Sequence, residues 1–221
     1  MIRRFRDRLD AGEQLADALA EHLLGVDDPV FLALPRGGVP VAYRIARRYP
    51  KSVLDVCIVR KLGVPGHEEL AFGAIASGGT VVYNDDILRM LDLSDEQKQR
   101  VLQKEQKEMK RRQDMFQSKV PALQDRVVVV VDDGIATGAT MLAALQSLRQ
   151  QHPRKLICAV PVGAPESLAR MEQACDAVVC VLPRHDLRSI GRWYDDFTQV
   201  EDDHVIYLLK QFRSRVDKSS T

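Results

Sequence analysis

The apolar residues of the chain fall into short unbroken runs that alternate with longer segments in which apolar positions recur every three or four residues. Short unbroken runs are typical of strands buried on both faces, and the longer spacing is typical of amphipathic helices. The predicted strands are residues 30–34, 53–59, 127–131, 155–162 and 177–182. The predicted helices are residues 11–24, 39–48, 141–148 and 166–173. This alternation predicts an α/β fold with a central, mostly parallel sheet flanked by helices.

The region between the second and third predicted strands has a different pattern. Residues 71–76 and 80–83 are predicted to form a two-stranded return across a glycine turn, and Asn84 is a candidate cap for a short helix. Residues 92–124 are assigned to a long charged helix, centred on 95–117, because a capping box begins at Ser94. Its basic run contains a glutamate and has no aromatic neighbours, so a solvated helix face is favoured and nucleic-acid binding is not expected.

The length and charge of the chain limit the number of domains and the classes of binding partner. The chain has 221 residues, a length that predicts a single domain over residues 1–221. Its net charge of +1 gives no overall electrostatic attraction to nucleic acid or to an anionic membrane. No apolar run approaches the length of a membrane span and no signal-peptide pattern precedes the first helix, so a cytoplasmic protein is expected. The four cysteines lack metal or redox spacing and are predicted to be buried free thiols.

The strongest chemical signal lies in residues 127–140. Five consecutive valines are followed by Asp132 and Asp133, then by a loop of small residues and a helix. Adjacent carboxylates repel each other unless a ligand or solvent accepts them. A small-residue loop at a helix start points N–H groups at an anion, and the two carboxylates can accept hydrogen bonds from sugar hydroxyls. The combination favours a sugar phosphate as the ligand.

This segment closely resembles the 5-phosphoribosyl-1-pyrophosphate (PRPP) signature of the type I phosphoribosyltransferases. That signature has four apolar residues, two acidic residues, two variable residues and a small Thr-Gly-containing loop. The resemblance assigns PRPP binding to Asp132, Asp133, Gly134, Ile135, Ala136, Thr137, Gly138, Ala139 and Thr140. Receiver domains place their acidic pair after the first strand, a Walker loop requires a lysine, and Rossmann glycines precede the acidic residue, so these alternatives fit less well.

Two further loops follow predicted strands. Arg36, Gly37 and Gly38 resemble the pyrophosphate loop of the family, whose backbone N–H groups hold the leaving group, often beside a non-proline cis peptide. The Pro35–Arg36 bond is the candidate for that geometry. Residues 60–69 resemble the lid that closes over PRPP, and their cations, glycines and proline predict an irregular, mobile segment. A solvated turn with incidental charges is the alternative.

Residues 183–205 bring aromatic residues together in a chain that is otherwise poor in them. A C-terminal packing patch would explain this clustering. The segment also resembles the small C-terminal hood that supplies a stacking aromatic in 6-oxopurine enzymes, which would make Trp193 or Tyr194 the acceptor-binding residue. One departure weakens that reading, because Ala136 stands where those enzymes place an aspartate. A guanine or hypoxanthine acceptor is therefore less expected.

The resemblance implies transfer of a phosphoribosyl group from PRPP to a nucleobase-like acceptor. Arg60, Lys61, Asp132 and Asp133 would be the catalytic residues, with Mg²⁺ held by the ligand and not by a protein metal cluster. A possible homodimer is implied as well. Two alternatives remain open at this point: a non-catalytic PRPP- or nucleotide-sensing regulator, and transfer to an acceptor that is not a nucleobase.

Overall fold

The valine run forms the central strand of the molecule. A computed structural model describes residues 4–91 and 93–219. In it a five-stranded parallel sheet has the order β2-β1-β6-β7-β8, so the valine strand β6 lies in the middle, between β1 and β7. The strands of this sheet are β1 Val30–Ala33, β2 Val53–Val56, β6 Val127–Val131, β7 Lys155–Gly163 and β8 Ala177–Pro183. The predicted α/β fold with a central parallel sheet is confirmed.

Helices cover both faces of this sheet, which explains why β6 needs no polar side. The helices are α1 Arg8–Leu19, α2 Gly38–Ala46, α3 Asp85–Met90, α4 Asp95–Phe116, α5 Ala139–Arg149, α6 Pro165–Glu172 and α7 Asp202–Ser219, and short 3₁₀ helices occupy Glu21–Leu23 and Ile190–Trp193. Val127, Val129 and Val131 belong to one buried cluster, together with residues of α1, α2 and α7. Val128 and Val130 belong to a second cluster, with residues of α5 and α6. Successive side chains of a strand point to opposite faces, so each valine buries its apolar surface in one of two cores.

The predicted irregular lid is instead part of a small antiparallel sheet. Its strands are β3 Val59–Val64, β4 His67–Ala76 and β5 Val81–Tyr83, in the order β3-β4-β5. Gly66, with a φ of 81°, supplies the tight turn between β3 and β4. Leu62 and Val64 are buried on alternate positions of β3, a period-two pattern that the neighbouring charges obscured. The prediction of an irregular segment over residues 60–69 was therefore wrong, and the predicted strand 53–59 ends at Val56.

The long charged helix is shorter than the predicted 92–124. Helix α4 covers Asp95–Phe116, and Ser94 and Gln97 form the capping box that the sequence predicted. Asp92, at the start of the predicted region, lies outside the described residues. Gln117 adopts a left-handed conformation that ends the helix, and the chain then runs without regular structure to β6.

The C-terminal segment contains a helix that the sequence reading did not include. Helix α7 begins at Asp202, inside the predicted hood of residues 183–205, and continues to Ser219. Its buried residues Val205, Leu208, Leu209 and Phe212 are spaced three and four apart and join the core on the α2 side of the sheet. No helix among the described residues is long and apolar enough to cross a membrane.

Candidate active site

The loop after β6 surrounds a small cavity at the start of α5. Residues 134–141 line this cavity of about 210 Å³, together with Asp132 and Ile190. The loop is tied to β7 on its far side, because the Ile135 N–H donates to the Val162 carbonyl at 2.9 Å and the Ala164 N–H donates to the Ile135 carbonyl at 2.9 Å. The cavity therefore lies at the carboxyl end of the central strand, where ligands bind in open parallel sheets.

Two side chains of α6 fix the direction of the loop's peptide groups. The Ser167 hydroxyl donates to the Ala136 carbonyl at 2.6 Å, and the Arg170 guanidinium donates to the Thr137 carbonyl at 2.6 Å. In a trans peptide the C=O and the following N–H point in opposite directions, so the N–H groups of Thr137 and Gly138 point away from α6. Gly138, with a φ of 72°, is the N-cap of α5 and makes no side-chain cap. The helix start thus keeps backbone donors for an anion.

Asp132 is the carboxylate of the acidic pair that lines this cavity. One of its oxygens accepts a hydrogen bond from the Asp133 N–H at 2.8 Å. Burial raises the pKa of Asp132 well above its ordinary value, and the neighbouring charge of Asp133 raises this pKa further. At this position the Asp132 carboxylate can accept hydrogen bonds from a ligand, and a nearby cation would stabilise its ionised form.

Asp133 faces the other way and is paired with an arginine that the sequence reading missed. The Arg8 Nε donates to the Asp133 Oδ2 at 2.8 Å, and the two side chains are only 11% and 15% exposed. Burial raises the pKa of Asp133, and the Arg8 charge opposes this rise. A Cβ at Gly37 would lie 2.0 Å from the Asp133 Oδ2, so only glycine at this position leaves room for the carboxylate.

The predicted pyrophosphate loop lies directly beside this acidic pair. The Leu34 N–H donates to the Val131 carbonyl at 2.8 Å, and a Cβ at Gly38 would lie 2.5 Å from the same carbonyl oxygen. The Pro35–Arg36 peptide bond is cis, as predicted. The Arg36 side chain, however, points to the start of α7, where its Nη1 lies 3.4 Å from the Glu201 Oε2. It is not among the residues that line the phosphate-loop cavity.

The β3–β4 hairpin approaches the other end of the phosphate loop. Arg60, Lys61 and Thr140 line one cavity of about 580 Å³, which also contains Lys104 and Glu105 of α4. Arg60 donates to the Glu105 Oε2 at 2.7 Å, so the long charged helix holds one of the two predicted catalytic cations. The three predicted loops therefore converge, as their positions after strands led us to expect.

Trp193 and Tyr194 are packing residues in this structure. They are 7% and 4% exposed and belong to a cluster with Phe5. The Tyr194 hydroxyl donates to the Asp133 carbonyl at 2.7 Å, and the Arg184 guanidinium lies 4.6 Å from the centre of the Trp193 ring. Neither ring presents an open face for a base. Their predicted acceptor-binding role stays a prediction, and their burial argues against it.

The described residues contain no metal-ligating cluster of side chains, and their cysteines are free thiols. Among the described residues, no group of three or more His, Cys, Asp or Glu side chains is arranged to hold a metal ion. All four cysteines are free, and three of them, Cys57, Cys158 and Cys175, are buried. Burial raises the pKa of Cys57 to about 12, so its thiol is not a nucleophile at neutral pH. The site's chemistry rests on backbone donors, carboxylates and cations.

Comparison with known proteins identifies the family. The model of the phosphoribosyl transferase domain matches residues 2–191, which includes all three loops described above. The chain belongs to the phosphoribosyl transferase domain family. A Mycobacterium tuberculosis protein named "Putative phosphoribosyl transferase" is 44% identical over 208 residues, which is 93% of this chain and 46% of that protein. The chain thus spans about half the length of this curated relative.

Solved structures support the fold of this phosphoribosyl transferase domain. The crystal structure of TT1426 from Thermus thermophilus superposes with a TM-score of 0.84 at 41% identity, covering 95% of this chain and 99% of that chain. The AQ2163 protein from Aquifex aeolicus superposes with a TM-score of 0.51 at 16% identity, over 83% of this chain and 78% of its own, and shows the fold alone. A uracil phosphoribosyltransferase from Aquifex aeolicus is 30% identical over 80 residues, which is 36% of this chain and 38% of that enzyme.

Proposed function

We propose that this phosphoribosyl transferase domain binds PRPP in a Mg²⁺-dependent manner and transfers its phosphoribosyl group to a small nucleobase-like acceptor, with release of pyrophosphate. One observation carries the proposal. The cavity after β6 combines a helix start whose loop carbonyls are tied to α6 with one carboxylate, Asp132, on its wall. A phosphate fits the donors and the ribose hydroxyls fit the carboxylate, so a phosphorylated sugar satisfies both parts.

Each loop has a proposed part in the reaction. The 5′-phosphate would bind the N–H groups around Thr137 and Gly138, and Asp132 would accept hydrogen bonds from the ribose hydroxyls. The backbone beside Gly37 and Gly38 would hold the pyrophosphate, to which Arg60 and Lys61 of the hairpin add positive charge. Breaking the anomeric C–O bond leaves positive charge on the ribose and negative charge on the pyrophosphate. The ordered carboxylate and the cations stabilise these opposite charges.

We propose that Mg²⁺ is held mainly by oxygen atoms of PRPP. The site fits such an ion, because Asp132 places a carboxylate on the cavity wall and Mg²⁺ prefers carboxylate and phosphate oxygens. When bound, the ion would neutralise part of the pyrophosphate charge. The chain's own residues would orient the sugar and keep its leaving group beside the hairpin.

Pyrophosphate release tests this proposal directly. The purified protein is incubated with PRPP, Mg²⁺ and a panel of purine and pyrimidine bases, and pyrophosphate is measured against base-free controls. Release that depends on one base supports the transferase and names the acceptor. A calorimetric titration with PRPP under the same conditions measures binding separately. Absence of both binding and release would overturn the proposal.

A PRPP- or nucleotide-sensing regulator is the second candidate, and one observation favours it. The two aromatic rings proposed to stack on a base, Trp193 and Tyr194, are buried. PRPP binding without turnover on any acceptor of the panel would select this function over catalysis.

A further inference from the structure

The N-terminal segment meets the segment before α7 beside the acidic pair of the site. The Phe5 N–H donates to the Trp193 carbonyl at 2.9 Å, and the N–H groups of Asp195 and Asp196 donate to the carbonyls of Phe5 and Arg6, each at 2.8 Å. These bonds align the N-terminal residues with the segment before α7. They deliver the next arginine of the N-terminal segment, Arg8, to Asp133.

The guanidinium of Arg8 is held on three sides. Besides its 2.8 Å bond to Asp133, it donates through Nη1 to the Thr198 carbonyl at 2.8 Å. Its central carbon lies 3.8 Å from the centre of the Phe197 ring, a distance typical of a cation–π contact. An arginine that is 11% exposed and held by a carboxylate, a carbonyl and an aromatic ring has little freedom to turn toward a ligand.

Arg8 changes the charge that the acidic pair presents. Two neighbouring carboxylates would repel the phosphates of PRPP and repel each other. The part-buried Arg8–Asp133 pair removes one of these negative charges, and the Tyr194 hydroxyl and Gly37 fix the backbone and side chain of Asp133 in place. Asp132 then remains as the one carboxylate among the described residues that line the cavity.

We propose that Arg8 is a positioning residue of the PRPP site: it neutralises Asp133 and holds it as a structural carboxylate, so that Asp132 alone contacts the ribose. This inference rests on the proposed function. It divides the roles of two aspartates that the family motif treats alike. It also makes the N-terminal segment part of the site, although Arg8 lies 125 positions before Asp133 in the sequence.

A charge-rescue experiment tests the inference by calorimetric titration with PRPP and Mg²⁺. In Arg8→Gln the Asp133 carboxylate is left unpaired beside the ligand, and PRPP affinity is expected to fall about tenfold or more. In Arg8→Gln/Asp133→Asn the unpaired charge is gone, so most of the affinity should return. A purely structural role of Arg8 predicts no such return, because the double variant still lacks the contacts to Phe197 and Thr198.

Two more variants keep the test decisive. Arg8→Lys retains the cation and should bind PRPP nearly as the unmodified protein does, which covers the case in which Arg8→Gln does not fold. Arg6→Gln removes an arginine two residues away whose side chain is 81% exposed, and it should leave the affinity unchanged.

Three results would count against the proposal in different ways. PRPP binding that is equal in Arg8→Gln and the unmodified protein would overturn the role of Arg8 while leaving the proposed function intact. A double variant that binds no better than Arg8→Gln would assign Arg8 to folding alone. Failure of the unmodified protein to bind PRPP would overturn the proposed function, and the inference with it.

Discussion

The two sides of the site each hold a charged motif residue in an ion pair, but the two pairs have different surroundings. On the sheet side, Asp133 and Arg8 are 15% and 11% exposed, and the arginine is stacked on an aromatic ring. On the hairpin side, Arg60 is 29% exposed and its partner Glu105 is 11% exposed. The first pair joins elements of the core, whereas the second joins a small antiparallel sheet to a charged helix.

This difference indicates which side is fixed and which can respond to a ligand. Separating a largely buried pair leaves an uncompensated charge in a poorly solvated place, so Asp133 and Arg8 should stay together. Glu105 is as buried as Asp133, but Arg60 is 29% exposed whereas Arg8 is 11% exposed. Because Arg60 keeps more of its solvation, it can leave Glu105 for a pyrophosphate at a smaller cost. The sheet side would then be the preformed half of the site and the hairpin side the adjustable half.

The largest expected effect on stability comes from breaking the Arg8–Asp133 pair. In Asp133→Asn, the buried Arg8 loses its counter-charge, and the free energy of unfolding should fall by about 3 kcal/mol. Activity should fall far more than in Asp195→Asn, whose exposed side chain should change stability by less than about 0.5 kcal/mol. Urea unfolding and pyrophosphate release measure the two quantities. Comparable losses in the two variants would mean that the roles of the acidic residues are misassigned.

Asp132→Asn should separate activity from stability. Loss of the carboxylate on the cavity wall is expected to lower kcat/KM for PRPP by about 100-fold. The fold itself should gain stability, because burial raises the pKa of Asp132 and the ionised side chain therefore destabilises the native state.

The sign of the pH dependence follows from that raised pKa. Above the ordinary carboxyl pKa the unfolded chain has lost the Asp132 proton while the native state still binds it, so this group's contribution to stability falls as pH rises. The Tm difference between Asp132→Asn and the unmodified protein should grow as the pH rises above about 4, the ordinary carboxyl pKa. A difference that does not change with pH would show that Asp132 titrates normally. Asp195→Asn is the matched control in the same melts.

On the sheet side, the sequence predicted the strand, the loop and the helix start, but not the side chains that contact them. Five valines and two aspartates specify a buried strand that ends in a charged loop, and the following small residues specify the helix start. Arg8 carries no such signal. It lies 125 positions before Asp133, and their contact depends on how the N-terminal segment pairs with the segment before α7. Ser167 and Arg170 were missed because their role, orienting carbonyls of the loop, appears only when α6 is placed against it.

On the hairpin side, the sequence identified the candidate cations but not the strands that carry them. The charges of Arg60 and Lys61, directly before Leu62, hid the alternation of buried residues in β3, and the glycines and proline suggested an irregular loop. Cross-strand pairing, such as Arg60 with Ile75 and Lys61 with Ala74, determines the strand, and single-residue patterns do not report such pairing. The same limit applies to the contact between Arg60 and Glu105.

Ser167→Ala, on the sheet side, should lower PRPP affinity by a smaller amount. Removing the hydroxyl leaves the Ala136 carbonyl without this donor, so the loop peptide can turn and PRPP affinity should fall about fivefold, which corresponds to about 1 kcal/mol. Ser214→Ala is the matched control, because that hydroxyl donates to a carbonyl of the exposed end of α7. Calorimetric titration with PRPP compares them. Equal affinities in both variants would show that the Ser167 hydroxyl does not orient the loop.

Glu105→Gln should have the smallest effect, and an effect of opposite sign. Arg60 is 29% exposed and a glutamine at position 105 can still accept its hydrogen bond, so the free energy of unfolding should fall by less than about 1 kcal/mol. Arg60 no longer has to leave a carboxylate to reach the pyrophosphate, so PRPP affinity should rise about threefold at low salt and less at high salt. Glu108→Gln, on the same helix but paired with Arg111 and Arg112, should leave the affinity unchanged. If Glu105→Gln instead weakens PRPP binding, Glu105 holds Arg60 in its working position, and the hairpin side is as preformed as the sheet side.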